Sequence, residues 1–426
     1  MLFPQWRTRT VTVIGSVGVV VAVAAGRLSG DVRANEESDQ EHVRPDGSGP
    51  DIRGALPALL QFTPPRRGSR LLVRNRPRDR QEGPGAPRPP ATRLRERHRR
   101  PHGRAARQSA PPERHLGGWL AFSDRKPQRD LRLRVRKALS PGADPERTDR
   151  LRASAHRLVP RPLEGSELVK GFITPFTVEA VTDVLGAEAD SGPELFAWGA
   201  DLVAYLGLDR YREEVVEQAL DSLARLEHHV AEWTRTARGA VPDAIRAALR
   251  LEATEQDAAA AFAQLLTGGV EPTRSALVTG AVSLTSPGHP EAFRRAPEGY
   301  VSEVLRVSSP FHFAPRTAGS DLVLRETRIP AGARVSVVLC AANHDPARFA
   351  SPEHMDPGRP FRDHLAFGHG RHFCAGAGFA EEMLSAGLEA LVEAGLGTES
   401  TRVTPRYVRT AGMTRAATLT VSHGLC

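Results

Sequence analysis

A cysteine near the C-terminus, Cys374, lies in a glycine-rich stretch that could carry ligand or redox chemistry. Glycines stand at positions 368, 370, 376 and 378, and an apolar helical pattern begins directly after the cysteine. Glycine permits backbone conformations that bring amide groups and a flat cofactor close to the sulfur. A cysteine at a helix N-terminus has its thiolate favoured by the helix dipole. The pattern therefore indicates that Cys374 is a metal-binding thiolate.

Three neighbouring histidines leave a zinc site as the alternative metal site. His364, His369 and His372 together with Cys374 supply enough ligands for zinc, but their spacing is not typical of structural zinc sites. The other two cysteines, Cys340 and Cys426, are too few and too scattered for a disulfide framework. Cys340 lies in a strand-like apolar run, where a free cysteine usually packs as a small hydrophobic side chain.

The stretch around Cys374 resembles the haem-binding signature of the cytochrome P450 family. It reads Phe367-Gly368-His369-Gly370-Arg371-His372-Phe373-Cys374-Ala375-Gly376 and matches F-G-x-G-x-H-x-C-x-G at every fixed position. The resemblance implies haem b as the cofactor and Cys374 as its axial thiolate, whose electron donation favours O–O cleavage. It also implies cofactor-binding roles for the loop residues Phe367, Gly368, Gly370, His372 and Gly376, with His372 holding the propionates.

Two arginines and a glutamine outside this loop resemble other haem contacts of the family. Arg316, in FAPRTA, matches the arginine that reaches a propionate. The segment 119–141 resembles the helix that carries H-x-x-x-R, with Arg132 at the arginine position and Gln128 at the histidine position. A glutamine can still donate a hydrogen bond to a carboxylate, without the charge. A solvated helix face is the alternative interpretation of Arg132.

The sequence Glu303-Val304-Leu305-Arg306 fits the E-x-x-R motif of the same family, about seventy residues before Cys374. On its own the motif is only an i,i+3 ion pair. The resemblance implies a buried charge network of Glu303, Arg306 and Arg359, the last from DPGRP. Removing one member of such a network strands a buried charge and is strongly destabilising.

The segment 262–278 aligns with the oxygen-activating helix of the family, A/G-G-x-D/E-T-T. Gly268, Gly269, Glu271 and Thr273 fit, but Pro272 stands where the family has its proton-relay threonine. Proline lacks a hydroxyl, removes the backbone bond to the Gly268 carbonyl and is expected to kink the helix. The freed carbonyl beside Glu271 could hold a water in place of the hydroxyl, giving oxygen activation that is retained but less coupled. The alternative is a family variant with normal chemistry.

Helical periodicity dominates the chain that positions these residues. Val178, Val181, Val184 and Leu185 share a face, and a second helix is predicted over 211–237. Strand-like runs follow at 321–324 and 333–343, and one more helix follows Cys374. This order predicts a mainly α fold with a small β-sheet region. The resemblance, from about residue 119 to the C-terminus, implies the P450-like helical prism as a single large domain.

The N-terminal region is atypical. Residues 1–60 contain an uncharged run at 10–26, short for a membrane span and compatible with a signal peptide, an anchor or an unimportant terminus, and then a polar linker. The segment 61–115 is rich in Arg and Pro and is predicted to be disordered. The same composition is typical of a GC-rich gene read in a shifted frame. The haem domain is then expected over 116–426.

The distribution of charge along the chain bears on whether the protein binds nucleic acid. Residues 66–114 hold sixteen Arg and four Asp or Glu, a net charge of +12, so the total of +8 leaves −4 for the rest of the chain. A nucleic-acid-binding arm is the alternative for this segment, but it lacks interleaved aromatic residues for base stacking. The remaining chain has the mildly acidic charge of an ordinary enzyme.

The resemblance implies a monooxygenase that inserts one oxygen atom from dioxygen into a small organic substrate, of secondary metabolism. Phe311 and Phe313 are expected to line its apolar pocket. Electrons would come from a ferredoxin-type donor with an NAD(P)H-dependent reductase, docked near Arg371. The alternatives are a peroxide-using or oxidative-coupling enzyme and a catalytically impaired haem protein. The expected location is the cytoplasm, with a membrane anchor through residues 10–26 as the alternative.

Overall fold

The computed structural model describes residues 19–22, 118–206, 212–324, 327–359, 363–398, 401–409 and 412–423. The helices in this part of the chain are α1 (Lys126–Ala138), α2 (Arg147–Leu158), α3 (Thr174–Val184), α4 (Gly192–Leu206), α5 (Glu213–Thr236), α6 (Ala240–Leu249), α7 (Glu255–Leu284), α8 (His289–Arg295), α9 (Pro297–Ser308), α10 (Leu339–Asn343) and α11 (Ala377–Glu393). A π-helical turn over Val169–Ile173 leads into α3. The predicted mainly α architecture is confirmed.

The strands form three small sheets. The first contains β1 (Val19–Ala22), β2 (Ala314–Thr317) and β5 (Arg334–Val337), with β5 in the middle, parallel to β1 and antiparallel to β2. The pairs β3 (Leu322–Leu324) with β4 (Thr327–Ile329), and β6 (Thr401–Arg409) with β7 (Thr414–His423), are antiparallel. Strand β7 contributes Ala416, Leu419 and Val421 to the main hydrophobic core, whose other buried residues lie mostly on helices.

The longest described helix, α7, runs through the core. It begins with a capping box in which Thr254 accepts from the amide of Asp257 and the Asp257 carboxylate accepts from the amide of Thr254. Most of its side chains are small and buried, so other helices approach closely. A Cβ on Gly269 would meet Val181 of α3 at 2.8 Å, and one on Gly280 would meet Leu388 of α11 at 2.7 Å. Small residues thus allow α7 to pack centrally.

Two features of the element order differ from the sequence prediction. The run 333–343 was expected as one strand, but β5 ends at Val337 and α10 follows, so Cys340 lies on a short helix rather than a strand. Tertiary hydrogen bonds at Asn343 hold this turn: its carbonyl accepts from Arg306 at 2.8 Å and its amide donates to Ser309 at 2.9 Å. The hairpin β6–β7 after α11 was not predicted, because its strands carry many exposed polar residues.

The N-terminal predictions fall largely outside the described residues. The Arg-rich segment 61–115 lies wholly outside them, and of the run 10–26 only Val19–Ala22 is described, as strand β1. Among the residues that the structure describes, no helix has both the length and the apolar character needed to cross a bilayer.

Candidate active site

The loop that presents Cys374 is held by its own backbone. The Cys374 amide donates to the Phe367 carbonyl at 2.9 Å, and the Phe373 amide donates to the Gly370 carbonyl at 3.0 Å. Gly368 and Gly370 have φ values of 70° and 75°, a left-handed conformation that favours glycine. The loop therefore curls back on itself and presents the sulfur just before α11.

Aromatic residues and a further glycine seat this loop on the core. Phe367 packs edge-on against Phe373, with ring centroids 6.1 Å apart, and lies 5.9 Å from the His364 ring. Gly376 is the N-cap of α11, and a Cβ there would meet Leu139 at 3.6 Å. The predicted loop residues thus form one continuous support under the cysteine.

The electrostatic setting of Cys374 suits a ligand for a cation. Burial raises the pKa of its thiol, while a hydrogen bond from the Gly376 amide and the nearby charge of Arg132 lower it. A thiol in such a place loses its proton when a metal cation is brought against the sulfur. A buried thiol of this kind therefore fits the role of a metal ligand better than that of a free nucleophile.

Three basic side chains cluster beside the loop. Arg132 of α1 is buried and donates through Nη2 to the Phe373 carbonyl. Arg316 of β2 donates through Nη1 to the Pro315 carbonyl at 2.8 Å. His372 is 7% exposed at its side chain, and its Nε2 lies 3.1 Å from Asp124. The structure brings these three predicted residues together from three different segments.

One carboxylate, that of Asp124, accompanies the three members of this basic cluster among the described residues. Burial lowers the pKa values of both Arg132 and Arg316. The pKa of His372 is lowered by burial first and then by the charge of Arg316, against the opposing effect of Asp124. The Nδ1 atom of His372 is buried without a hydrogen-bond partner among the described residues. Buried donors of this kind fit an anionic ligand such as the two propionates of haem b.

Gln128 has other partners. It lies on α1, one turn before Arg132, where it accepts from the Ser123 hydroxyl at 3.2 Å and donates through Nε2 to Asp257. Asp257 also accepts a hydrogen bond of 3.0 Å from Nη2 of Arg125. Gln128 thus joins α1 to the first turn of α7, and its contact with a propionate stays a prediction.

The predicted residues of the oxygen-activating helix lie together on α7, which continues through Pro272. A Cβ added to Gly268 would meet nothing within 4 Å, whereas Gly269 is packed against α3. Thr273 is buried. Glu271 is also buried, and its Oε1 accepts from Nη1 of Arg274 at 2.6 Å. The predicted kink at Pro272 stays a prediction.

The predicted charge network is assembled at the end of α9. Glu303 accepts two bonds of 2.8 Å from Arg306 and one of 3.0 Å from Arg359. Arg306 also donates to the carbonyls of Asn343, Pro352 and His354 at 2.8–2.9 Å. One buried carboxylate and two guanidinium groups thereby clamp α9, α10 and the segment 350–359.

The predicted substrate residues lie at the β6–β7 hairpin. Phe311 is 42% exposed, and its backbone pairs with Met413. The ring of Phe313 lies 2.9 Å from where a Cβ on Gly412 would be. These contacts bring both aromatic residues to the start of β7, and their contact with substrate stays a prediction.

Some residues of the site were not predicted from the sequence. Arg147 is almost fully buried, donates to Ser140 at 3.0 Å and pairs with Glu382 of α11 at 2.7 Å. It thereby ties the end of α1 to the helix that follows Cys374. Asp124, the acidic partner of His372, and Arg415, which reaches Glu271, were also missed. Arg274, the other partner of Glu271, was missed as well, although its i,i+3 spacing from Glu271 could have indicated the ion pair.

A zinc site around Cys374 finds no support. Within the described ranges, no group of three or more His, Cys, Asp or Glu side chains has the geometry to hold a metal ion. His364 is turned toward the ring of Phe367, and burial lowers its pKa to about 4. Cys374 is therefore the candidate metal ligand in this region.

Comparisons with known proteins agree with this geometry. The family model Cytochrome P450 matches residues 298–394, from α9 through α11. The chain is 28% identical to the methyl-branched lipid omega-hydroxylase of Mycobacterium tuberculosis over 302 residues, 65% of this chain and 68% of that protein. It is 29% identical to the biflaviolin synthase of Streptomyces coelicolor over 300 residues, 67% of this chain and 71% of that protein.

Solved structures show the same fold. P450BioI, in complex with a hexadec-9Z-enoic acid ligated acyl carrier protein, superposes with a TM-score of 0.68 at 23% identity, covering 76% of this chain and 86% of that one. CalO2 superposes with a TM-score of 0.67 at 22% identity, covering 74% and 82%. The family match, the similarity to named hydroxylases and synthases, and the fold agree. The described chain therefore has the cytochrome P450 fold, and residues 298–394 match the cytochrome P450 family model.

Proposed function

We propose that this protein inserts one oxygen atom from dioxygen into a small organic substrate of secondary metabolism, and that Cys374 would hold haem b through its thiolate. The observation that carries the proposal is the placement of Cys374 beside the basic cluster of Arg132, Arg316 and His372, in which the buried Nδ1 of His372 has no partner among the described residues. A thiolate and two propionate sites side by side are what a haem requires. The biosynthetic relatives, a biflaviolin synthase among them, support the substrate class.

In this proposal each part of the site has one task. Bound haem supplies the chemistry that activates dioxygen. Cys374 donates electron density from its sulfur, and the basic cluster neutralises the propionates. Gly268, which carries no side chain, leaves room for the substrate and cofactor beside α7. Glu303, Arg306 and Arg359 act at a distance, by holding the core beneath the cysteine loop.

The thiolate ligation in this proposal is tested by the spectrum of the reduced, carbon-monoxide-treated protein. Thiolate ligation is expected to give the strongly red-shifted Soret band that histidine ligation does not give. The spectrum is recorded on the full chain reconstituted with haem b. A Soret band at the position typical of histidine-ligated haem would contradict Cys374 as the ligand.

The proposed electron donor is a ferredoxin-type protein with its NAD(P)H-dependent reductase. The outer face of α1 exposes Arg129, Arg134, Arg136 and Lys137 around Leu133, which is 58% exposed. Arg371 of the cysteine loop is exposed as well. An acidic partner is attracted to such a face. We further propose that the protein acts in the cytoplasm, where NAD(P)H is available, and that residues 116–426 form the haem domain.

Pro272 carries one prediction for this function. Replacing it with threonine restores a hydroxyl and a backbone donor next to Glu271, so protons are delivered in a more ordered way. We expect Pro272→Thr to raise the product formed per NAD(P)H consumed severalfold. Thr279→Ser, two turns further along α7, serves as the control and is expected to leave this ratio unchanged. An unchanged ratio in Pro272→Thr would show that proline does not limit proton delivery.

Pro272 also favours a second candidate function, a peroxide-using or oxidative-coupling enzyme of the same scaffold. Such an enzyme does not need a relay hydroxyl on α7. Turnover with hydrogen peroxide is compared with turnover supported by ferredoxin, reductase and NAD(P)H on the same substrate panel. Faster turnover with peroxide would favour the second function over the first.

A further inference from the structure

Three charged side chains meet on the side of α7 that faces β7. Glu271 accepts from Arg274 at 2.6 Å and lies 3.6 Å from Nε of Arg415. Two guanidinium groups therefore share the Glu271 carboxylate. Burial lowers the pKa of Arg274, and the charge of Arg415 adds to this effect, while Glu271 and Glu167 act to raise it. Glu271 is thus the ion-pair partner of both arginines, and neither arginine has it alone.

Two buried polar groups of the same region of α7 lack a hydrogen-bond partner among the described residues. Arg274 is 9% exposed, and its guanidinium lies 5.5 Å from the ring of Phe196 on α4. Its Nε has no partner among the described residues, and neither has the buried hydroxyl of Ser275, one turn beyond Glu271. Buried donors without acceptors are costly and uncommon in native proteins. Together they point to an acceptor supplied by a ligand.

Arg415 is the member of this group that is free to engage a ligand. Its contact with Glu271 is the longer of the two, and its side chain is 43% exposed. An exposed ion pair of this kind contributes little stability, so exchanging its partner costs little. Arg415 lies at the start of β7, next to Met413 and Gly412, whose neighbours are Phe311 and Phe313. A cation therefore stands beside apolar, aromatic side chains.

We propose that Arg415 and Arg274 form an anion subsite that binds the carboxylate of an amphiphilic substrate, whose apolar body lies toward Phe311 and Phe313. The inference rests on the proposed function, because it names the substrate class of that same site. A guanidinium binds a carboxylate through paired N–H donors with a geometry that a lysine does not match. The carboxylate replaces Glu271 as the partner of Arg415, while Glu271 keeps its shorter bond to Arg274.

The test compares two ligands that share a ten-carbon chain and differ in their head group, one a carboxylate and the other an uncharged hydroxyl. Decanoate and decan-1-ol are titrated into the haem-loaded full chain by calorimetry at neutral pH. Wild type is expected to bind decanoate about tenfold more tightly than decan-1-ol, the effect of one charged hydrogen-bonded contact. Arg415→Gln is expected to remove this preference, and Arg415→Lys to restore part of it.

Arg406→Gln is the matched control. Arg406 is an exposed arginine on β6 of the same hairpin, paired with Thr418 rather than with Glu271. This variant loses the same charge and is expected to keep the preference for decanoate. The subsite is overturned if wild type shows no preference, or if Arg406→Gln lowers the preference as much as Arg415→Gln.

The same preparations separate this inference from the proposed function. The carbon-monoxide spectrum of each is recorded before the titration. A protein that shows the thiolate band but binds both ligands equally contradicts the carboxylate subsite alone. A protein that lacks the band contradicts the proposed function, whatever the titration shows.

Discussion

Arg306→Met is expected to lower the free energy of unfolding by about 4 kcal/mol, because it strands a buried charge. Glu303 would lose both of its bonds to Arg306, and three carbonyls that Arg306 satisfies would be left without their donor. Arg306 also covers the Phe349 ring, 5.1 Å from its guanidinium. Methionine fills part of the volume but supplies none of the donors.

The loss is measured by urea unfolding of the haem-loaded protein, followed by far-ultraviolet circular dichroism. Arg294→Met is the control, since Arg294 forms an exposed ion pair with Glu291 at 3.5 Å on α8. Exposed pairs contribute about 0–1 kcal/mol, so the control should unfold almost like wild type. Equal stabilities of the two variants would show that the network is not needed for the fold.

Acid should weaken the same network. Burial acts to raise the pKa of Glu303, but the bonds from Arg306, the Asp356 amide and Arg359 outweigh it and hold the pKa below its usual 4.5. A lowered folded-state pKa gives stability that is present above 4.5 and is lost as the pH falls through the folded value. The stability difference between wild type and Glu303→Gln is therefore expected to shrink below pH 4.5. A difference that stays constant with pH would contradict this assignment.

Cys374→Ala is expected to abolish both the thiolate Soret band and substrate turnover while leaving the fold intact. The change removes only the sulfur, because the loop is held by the Cys374 amide and by the conformations of Gly368 and Gly370. Alanine keeps all of these features. The basic cluster remains able to bind the propionates, so some haem is expected to stay bound without its sulfur ligand.

Carbon-monoxide spectra and far-ultraviolet circular dichroism distinguish loss of the ligand from loss of the fold. Cys340→Ala is the matched control, because Cys340 is the other described cysteine and lies on α10. Burial raises the pKa of the Cys340 thiol, and its variant is expected to keep the band. Retention of the band in Cys374→Ala, or its loss in Cys340→Ala, would contradict the assignment.

Features that depend on neighbouring residues were predictable from the sequence. Glycine permits the positive φ angles found at Gly368 and Gly370, and the cysteine loop closes through short-range backbone bonds. The pair Glu303 and Arg306 is one helical turn apart. The helix predicted over 211–237 was found as α5, Glu213–Thr236, because its apolar period is local as well.

Features that depend on distant partners were not predictable in the same way. Gln128 lies one turn from Arg132, yet its donor is taken by Asp257 of α7. The segment after Val337 has the composition of a strand but turns into α10, where Arg306 binds the Asn343 carbonyl. In each case a tertiary hydrogen bond outweighed a weak local preference.

The sequence by itself determined the cysteine loop and the mainly helical architecture, and it predicted the cofactor ligand, because these rest on residue type and short-range spacing. Only the tertiary structure decided which buried charges meet. Glu271 is joined by Arg415 from a strand that was not predicted, and His372 by Asp124 from before α1. Ion pairs between distant segments form only where the fold brings those segments together, and that depends on the packing of the whole chain.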